Sequence, residues 1–275
     1  MTMIERTHGR AHELEAAIDE IKASRPTALK VLLLADDPET DARRLSEAVD
    51  LDPILTAHVM RLANSAAYGM SQRVASTQHA VSLVGFDSIR AVSALLASGL
   101  RNHRVPAPDG FWEHSAATAA ACSVVSSRFG VPKGQAFSLG LLHDLGAALL
   151  HSVDPEAYRP LVSNLSDTAS QCGLELVEFG MSHEQAAARI LGQWNFPTEM
   201  VDAIATHHDT SAAITPHAQV LIAGDALAHL VLEPAGFGSV DPDHLESVGI
   251  SPDAIPGLAA LTSDYAAEVF AALPN

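Results

Sequence analysis

An adjacent histidine and aspartate, His143-Asp144, interrupt an otherwise apolar stretch that runs from Ala136 to Leu150. The spacing of the apolar residues in this stretch predicts a helix that is buried on nearly all sides. A carboxylate without a partner on such a helix would cost roughly several kcal/mol. Asp144 therefore needs a cation, strong hydrogen-bond donors or a proton.

Other segments carry the same two types of side chain. Asp225 is the lone acid in the aliphatic pattern AQVLIAGDALAHL, and the pair His207-His208 stands at the end of a predicted helix. His114 and His183 lie near the starts of two more. Taken singly, each has an ordinary explanation, because a lone buried histidine is more often a hydrogen-bonded core residue than a ligand. Asp225 could bond to a neighbouring helix, and the histidine pair could be a solvated helix end.

Taken together, these residues have the composition of a metal site. Imidazole and carboxylate groups are ligands in Fe, Mn, Zn or Mg sites, and separate helices can project them toward a common point. The predicted ligand set is His114, His143, Asp144, His183, His207, His208 and Asp225. We expect these side chains to converge in one cavity of the second half of the chain.

Apolar residues recur throughout at spacings of three and four, and strict apolar/polar alternation is almost absent, so the predicted fold class is all-α. A chain of 275 residues exceeds one small core, which favours two packed helical subdomains. The segment 101–110, RNHRVPAPDG, contains two prolines and a glycine, and we place the boundary within it. Residues 1–105 then form an N-terminal helical subdomain, and residues 106–275 form a second helical subdomain with C-terminal helices.

Capping residues locate the helices of the first subdomain. After a first helix around 13–21, further helices are predicted to begin at Asp41, at Asp52 followed by Pro, at Ser76 and at Asp87.

In the second subdomain, Ser182 and Gln185 fit a capping box at the start of the helix that carries His183. The other predicted helices there run over 109–129, 134–151, 197–208 and 216–232.

The composition disfavours several classes of protein. A net charge of −17, with only short basic clusters, disfavours direct nucleic-acid binding. The polar start lacks the apolar core of a signal peptide, and no stretch of 18 or more consecutive apolar residues follows, so we expect a cytoplasmic protein without membrane insertion. Cys122 and Cys172 have no CxxC spacing and are predicted to be reduced, buried thiols without a function.

The order of these residues resembles a known superfamily. A histidine, the HD pair in LLHDLG, a later histidine, an HH pair and the aspartate of IAGDAL resemble the HD superfamily of metal-dependent phosphohydrolases, including its HD-GYP branch. The phrases DPILTAHVMRLANSAAYG, STQHAVSLVGFDSIR, GLLHDLG and QWNFP followed by IATHH narrow the resemblance to HDOD proteins over residues 25–230. The second subdomain is therefore expected to be an HD-like helical bundle.

Similarity to HDOD proteins implies an output or relay module of bacterial signal transduction. Such modules are sometimes fused to receiver or cyclic-di-nucleotide domains, which we do not expect in this chain. Many members have lost the ligand set, whereas this sequence keeps every position that can be matched. It departs from active HD-GYP hydrolases at Ala147, where their HDxGK pattern has Lys, and in HHDTSA, which lacks a GYP-like segment.

Two functions follow from this resemblance. The favoured one is a regulatory module that acts through a signalling protein partner or a nucleotide ligand, without catalysis; a homo-oligomer is compatible with it. The alternative is a metal-dependent phosphohydrolase for a nucleotide or cyclic di-nucleotide, in which one or two divalent ions activate water. In that case Asp144 is expected to bridge the two ions.

Overall fold

A computed structural model describes residues 3–21, 26–65, 68, 74–99, 107–163, 168–209, 215–232 and 242–273. Up to residue 99 the described helices are α1 (Met3–Ile21), α2 (Pro26–Asp36), α3 (Ala42–Val49), α4 (Pro53–Ala63), α5 (Thr77–Val84) and α6 (Phe86–Ala97). No strand occurs in the described residues, so the all-α prediction is confirmed. Residues 101–106 of the predicted boundary lie outside the described residues.

The second part of the chain contains longer helices and several shorter ones between them. Its helices are α7 (Phe111–Val125), α8 (Lys133–Leu142), α9 (Leu145–Val153), α10 (Pro155–Ser163), α11 (Thr168–Phe179), α12 (His183–Gln193), α13 (Thr198–Ala205), α14 (Pro216–Leu232), α15 (Pro242–Ser247) and α16 (Ile255–Ala272). Helix α7 packs against α8, α14 and α16, and α9 packs against α12. The helices that carry the predicted ligands therefore surround α7 and α9.

The predicted capping residues are confirmed in four places. Asp41, Asp52 and Ser76 each accept a hydrogen bond from a backbone N–H of the following helix. Ser182 and Gln185 form the complete capping box of α12. These side chains satisfy N–H groups that the first turn of a helix leaves without a partner.

Two predicted helix starts are wrong. Helix α6 has Gly85, not Asp87, as its capping residue, so Asp87 lies inside the helix. Helix α7 begins at Phe111 after Gly110, two residues later than the predicted start at 109. Both glycines have a positive φ, 86° and 78°, which favours glycine over aspartate at that point of the chain.

The prediction of one helix over 134–151 is also wrong. Helix α8 ends at Leu142 and α9 begins at Leu145, with His143 and Asp144 at the junction. Neighbouring residues of an unbroken α-helix point about 100° apart. The break removes this restriction, so both side chains can face the same cluster.

Other boundaries differ from the predictions as well. Helix α13 ends at Ala205, so the histidine pair follows the helix, and α7 gives way to a 3₁₀ turn over Ser126–Arg128. Helices α2, α10 and α11 were not predicted, and Pro160 inside α10 weakens the helical pattern there. Cys122 is buried as predicted, but Cys172 is only half-buried.

Arg90 of α6 joins the two parts of the molecule. Its guanidinium pairs with Asp36 at 2.7 Å and donates hydrogen bonds to the carbonyls of Trp194 and Asn195. The group also stacks on the Phe196 ring, 4.2 Å from the centroid. Since residues 194–196 connect α12 to α13, the first subdomain is attached to the hairpin that carries three of the predicted ligands.

The terminal helices cross between the parts of the chain. Helix α1 packs on α9 and α11, where Arg10 pairs with Asp154 at 2.9 Å and with Glu178 at 2.6 Å. Helix α16 packs on α4 as well as α7. Both ends of the chain thus contribute to the packing around α7 and α9.

One described stretch, Lys133–Val153, is long and apolar enough to cross a membrane, but 83% of its apolar window is buried inside the protein. Helices α5 and α6 are long and apolar enough only if they are counted together as one span, and the chain bends by 105° between them. Such burial is typical of core helices.

Two glycines allow the ligand-bearing helices to approach closely. A Cβ on Gly140 would lie 2.4 Å from the Thr118 carbonyl oxygen of α7, and a Cβ on Gly146 would lie 2.0 Å from the His183 carbonyl oxygen of α12. Neither helix pair could keep this separation with a larger residue. The distance between Asp144 and His183 therefore depends on Gly146.

We expect Gly146→Ala to lower the free energy of unfolding by about 1–3 kcal/mol, because α9 must move away from α12. Gly192→Ala on α12 is the matched control: its added Cβ meets nothing within 4 Å, so it should raise stability by roughly 0.4–1 kcal/mol. Urea unfolding measures both. Similar values for the two variants would contradict the packing argument.

Candidate metal centre

A first group of potential ligand atoms comes from α7, the end of α8, and α14: His114, His143 and Asp225. Nε2 of His114 lies 3.1 Å from Nε2 of His143 and 3.1 Å from Oδ1 of Asp225. Nε2 of His143 lies 3.7 Å from the same oxygen. Atoms at this spacing can all bind one ion at a distance of about 2.1 Å.

A second group consists of Asp144, His183, His207 and His208. Oδ1 of Asp144 lies 3.6 Å from Nε2 of His183 and 3.6 Å from Nε2 of His207. Nε2 of His208 lies 3.0 Å from Nε2 of His183. The four ligand atoms lie within 4.8 Å of one another, which again is close enough for one ion.

Asp144 stands between the two groups. Its Oδ2 lies 3.4 Å from Nε2 of His143 and 3.6 Å from Nε2 of His114, while its Oδ1 faces the second group. One carboxylate can therefore offer one oxygen to each group. The structure brings all seven predicted residues into one cluster; their binding of a metal remains a prediction.

In two histidines a backbone carbonyl binds the ring nitrogen that faces away from the cluster, and this contact sets the tautomer. Nδ1 of His143 donates to the Gly140 carbonyl at 2.9 Å, and Nδ1 of His207 donates to the Ile204 carbonyl at 2.8 Å. A carbonyl oxygen can only accept, so in the neutral rings Nε2 carries the lone pair. These Nε2 atoms are directed at the two groups, as metal ligands require.

His183 is held by a carboxylate instead. Its Nδ1 lies 2.7 Å from Oε2 of Glu175, which also accepts the His183 backbone N–H at 2.8 Å. Oε1 of the same, fully buried glutamate accepts from the Tyr158 hydroxyl at 3.0 Å and from Nε2 of Gln171 at 2.9 Å. Carboxylates commonly orient metal-binding histidines in this way.

The histidines of the cluster lower the pKa of its two carboxylates. Burial by itself would raise the pKa of Asp144, but the histidines around it, His143 first, hold that pKa well below its usual value. Burial would likewise raise the pKa of Asp225, and His229 and His114 bring it well below. Both carboxylates are therefore ionised near neutral pH.

The histidines differ from one another. Burial lowers the pKa of His143 to about 4, so this ring is neutral near pH 7. Burial also acts to lower the pKa of His183, but Glu175 outweighs it and raises this pKa well above the usual value. In the absence of a metal, His183 carries a proton that a metal must displace.

Several buried atoms lack a suitable partner among the described residues. No hydrogen bond of good geometry reaches three atoms of the cluster: Oδ1 of Asp144, Oδ1 of Asp225 and Nε2 of His207. Such atoms cost about 1–3 kcal/mol each when they are left unsatisfied. All three belong to the two groups, so the residues present fit a metal ion.

A pocket of about 90 Å³ opens onto the cluster, and a single water needs only roughly 10–15 Å³. Its lining includes His114, Asp144, His183, His208 and Ala147. The side chains of Asp144 and Asp225 remain 21% and 13% exposed, so neither carboxylate is as deeply buried as the sequence predicts. The pocket is therefore lined by residues of both groups.

Two residues beside the seven candidates, His229 and Glu175, were not predicted from the sequence. His229 lies one turn after Asp225 on α14, with its Nε2 3.6 Å from Oδ1, and lines the pocket. The spacing of four residues in DALAH is a signal that could have found it. Glu175 lies on α11, which has no clear helical signal, and no motif marks it.

Comparison with known proteins supports the assignment of the fold. A candidate phosphohydrolase from Shewanella amazonensis SB2B has a TM-score of 0.73 at 22% identity, covering 94% of this chain and 97% of that one. A candidate signal transduction protein from Marinobacter aquaeolei VT8 has a TM-score of 0.69 at 24% identity, covering 97% of this chain and 65% of that one. At these identities the likeness shows the fold alone.

A sequence relative is an uncharacterised protein of Treponema pallidum (strain Nichols), 23% identical over 212 residues. The match covers 73% of this chain but only 39% of that protein. The profile of the HDOD domain matches residues 23–210, well over half of the sequence. This chain belongs to the HDOD family.

Proposed function

We propose that this protein is a bacterial signalling module whose histidine/aspartate cluster binds one or two divalent metal ions. The observation that carries the proposal is the position of Asp144, which faces a group of potential ligands with each of its oxygens. Its Oδ1 is buried without a hydrogen-bond partner of good geometry among the described residues. A metal ion would give this oxygen the partner that no hydrogen-bond donor provides.

The donor set narrows the choice of metal. Five imidazoles and two carboxylates suit Fe, Zn or Mn, while Mg prefers oxygen ligands and retains water. The tautomers of His143 and His207 already present Nε2 as the ligand atom. We therefore expect Fe, Mn or Zn in preference to Mg.

The pocket favours binding over rapid turnover. Its described lining contains no Lys or Arg, and Ala147 lies in it. Hydrolysis of a phosphodiester requires that developing negative charge be met and that the leaving group be positioned. We therefore propose that the module acts by binding a nucleotide or a signalling protein.

The protein's charge is consistent with such a role. At −17 it disfavours direct contact with nucleic acids, and we propose a protein partner in the cytoplasm of a bacterium.

A phosphohydrolase is the second candidate, because the pocket is lined by residues of both groups. A divalent ion would lower the pKa of a bound water and polarise a phosphoryl oxygen. In this function His114, His143 and Asp225 would hold one ion and His183, His207 and His208 another. Asp144 would contribute one oxygen to each.

We expect Asp144→Asn to lose most of the bound metal, because the amide keeps the shape of the side chain but removes the charge between the two groups. Asp202→Asn on the exposed face of α13 is the control and should retain it. Elemental analysis of protein purified without chelator measures the metal per chain. Equal metal content in both variants would contradict the role of Asp144.

Metal binding should release protons, because the raised pKa of His183 leaves this ring protonated near pH 7. Affinity should therefore fall as the pH decreases. In Glu175→Gln the pKa of His183 should fall, and about one proton fewer per chain should be released. Calorimetry in buffers of different ionisation enthalpy counts these protons; Glu178→Gln, on the outer part of α11, is the control.

Proton release that is unchanged in Glu175→Gln would show that His183 is not a ligand, or that Glu175 does not control its charge.

We expect the Mn- or Fe-loaded protein to hydrolyse cyclic di-nucleotides far more slowly than about 1 per second, because the pocket offers no Lys or Arg among its described lining residues. Product formation followed by chromatography measures the rate. Faster turnover that disappears in both His143→Ala and Asp225→Ala would favour the hydrolase. A contaminating phosphodiesterase would be unaffected by either change.

A further inference from the structure

Arg90 of α6 holds the connection between α12 and α13 from outside this hairpin. Its guanidinium donates hydrogen bonds to the backbone carbonyls of Trp194 and Asn195 and stacks on the ring of Phe196. The last carbonyls of an α-helix have no partner within the helix, and a cation beside them is favourable. Arg90 therefore fixes the end of α12 although it belongs to a different part of the chain.

The backbone of this connection requires such a contact. Asn195 has a φ of 55°, and among the described residues it is the only one other than glycine with a positive φ. Asparagine tolerates this left-handed conformation better than most residues, but the conformation persists only where the surroundings hold it. Arg90 binds the carbonyl of this same residue, so it stabilises the turn that sets the angle between α12 and α13.

The potential ligands lie at the far end of the hairpin. His183 begins α12, while His207 and His208 follow α13. The 11 residues of α12 span roughly 16 Å at about 1.5 Å per residue, so a tilt of about 5° at the connection would move His183 by about 1.4 Å. Metal ligands must be held within about 0.5 Å of their working positions. A small change at the connection is therefore large at the ligands.

Helix α6 also connects this contact to other parts of the molecule. The Ser138 hydroxyl of α8 donates to the Asp87 carbonyl of α6 at 2.8 Å, and His143 directly follows α8. At the other side, Asp36 at the end of α2 pairs with Arg90 at 2.7 Å. The Arg90 side chain is 6% exposed and that of Asp36 is 42% exposed, so the carboxylate is the accessible member of the pair.

We propose that the Asp36–Arg90 pair positions the second group of potential ligands: it fixes the α12–α13 connection and thereby sets the metal affinity of the site. The inference rests on the proposed function, since it concerns the same metal centre. It makes a contact remote from the pocket a control point of that centre, and it gives the N-terminal helices a route to it.

Co²⁺ is the probe, because its visible absorption reports both its binding and the geometry of its ligands. Full-length protein is titrated with Co²⁺, and urea unfolding shows that each variant is folded under these conditions. Arg90→Met keeps an unbranched side chain without donors, and Arg90→Lys keeps the charge. Arg61→Met is the matched control, since Arg61 also donates to a carbonyl near a helix end, that of Ala271 in α16, which carries no predicted ligand.

We expect Arg90→Met to weaken Co²⁺ binding about tenfold and to change the absorption spectrum, because a contact that orients ligands is lost. Arg90→Lys should recover part of the affinity, and Arg61→Met should match the wild type in both readouts. A folded Arg90→Met with the affinity and spectrum of the wild type would overturn this inference. An equal loss in Arg61→Met would also overturn it, because any weakened helix packing would then have the same effect.

Asp36→Asn keeps the inference testable if Arg90→Met does not fold, since the Asp36 side chain is half-exposed and the amide keeps its shape. This variant should weaken Co²⁺ binding in the same direction, and wild-type affinity and spectrum in it would overturn the inference. A wild-type protein that binds no Co²⁺ would overturn the proposed function as well. Binding by the wild type together with unaffected variants would overturn the inference alone.

Discussion

The carboxylate of Asp144 is the constraint around which the second half of this molecule is arranged. An ionised group at a helix junction in an apolar core is tolerated only if opposite charge or hydrogen-bond donors surround it. Here four histidines, from α7, the junction after α8, α12 and the turn after α13, lie within 3.4–3.6 Å of its two oxygens. The packing of these helices therefore also places the histidines of the site around Asp144.

Local backbone geometry makes this arrangement possible. The helix ends at Leu142 and starts again at Leu145, so His143 and Asp144 can both turn toward the cluster. Gly146 then allows α9 to lie against the His183 carbonyl. Glu175 binds both the backbone N–H and the ring of His183, so the position of His183 against α9 is fixed as well.

The same hairpin connects the site to the rest of the protein. Helices α12 and α13 carry His183 at one end, and the segment between them receives the guanidinium of Arg90 at the other. Tightly packed helices compress little and have few alternative arrangements, so a displacement at one end of the hairpin is transmitted to the other end. A change at the Arg90 contact would therefore alter the positions of the candidate ligands as well as the contact between α6 and the hairpin, as the proposed signalling role requires.

Periodicity, capping side chains and ionisable groups in apolar stretches act locally, so the helical class, the four confirmed caps and the seven clustered candidate residues could be predicted from the sequence. The sequence did not determine the break at His143, since the apolar pattern of 136–150 continues unbroken through it. Nor did it reveal Glu175, whose role arises only when α11 packs beside the start of α12. Which nitrogen of each histidine faces the cluster depends on acceptors such as the Gly140 carbonyl, and only the tertiary structure places those acceptors.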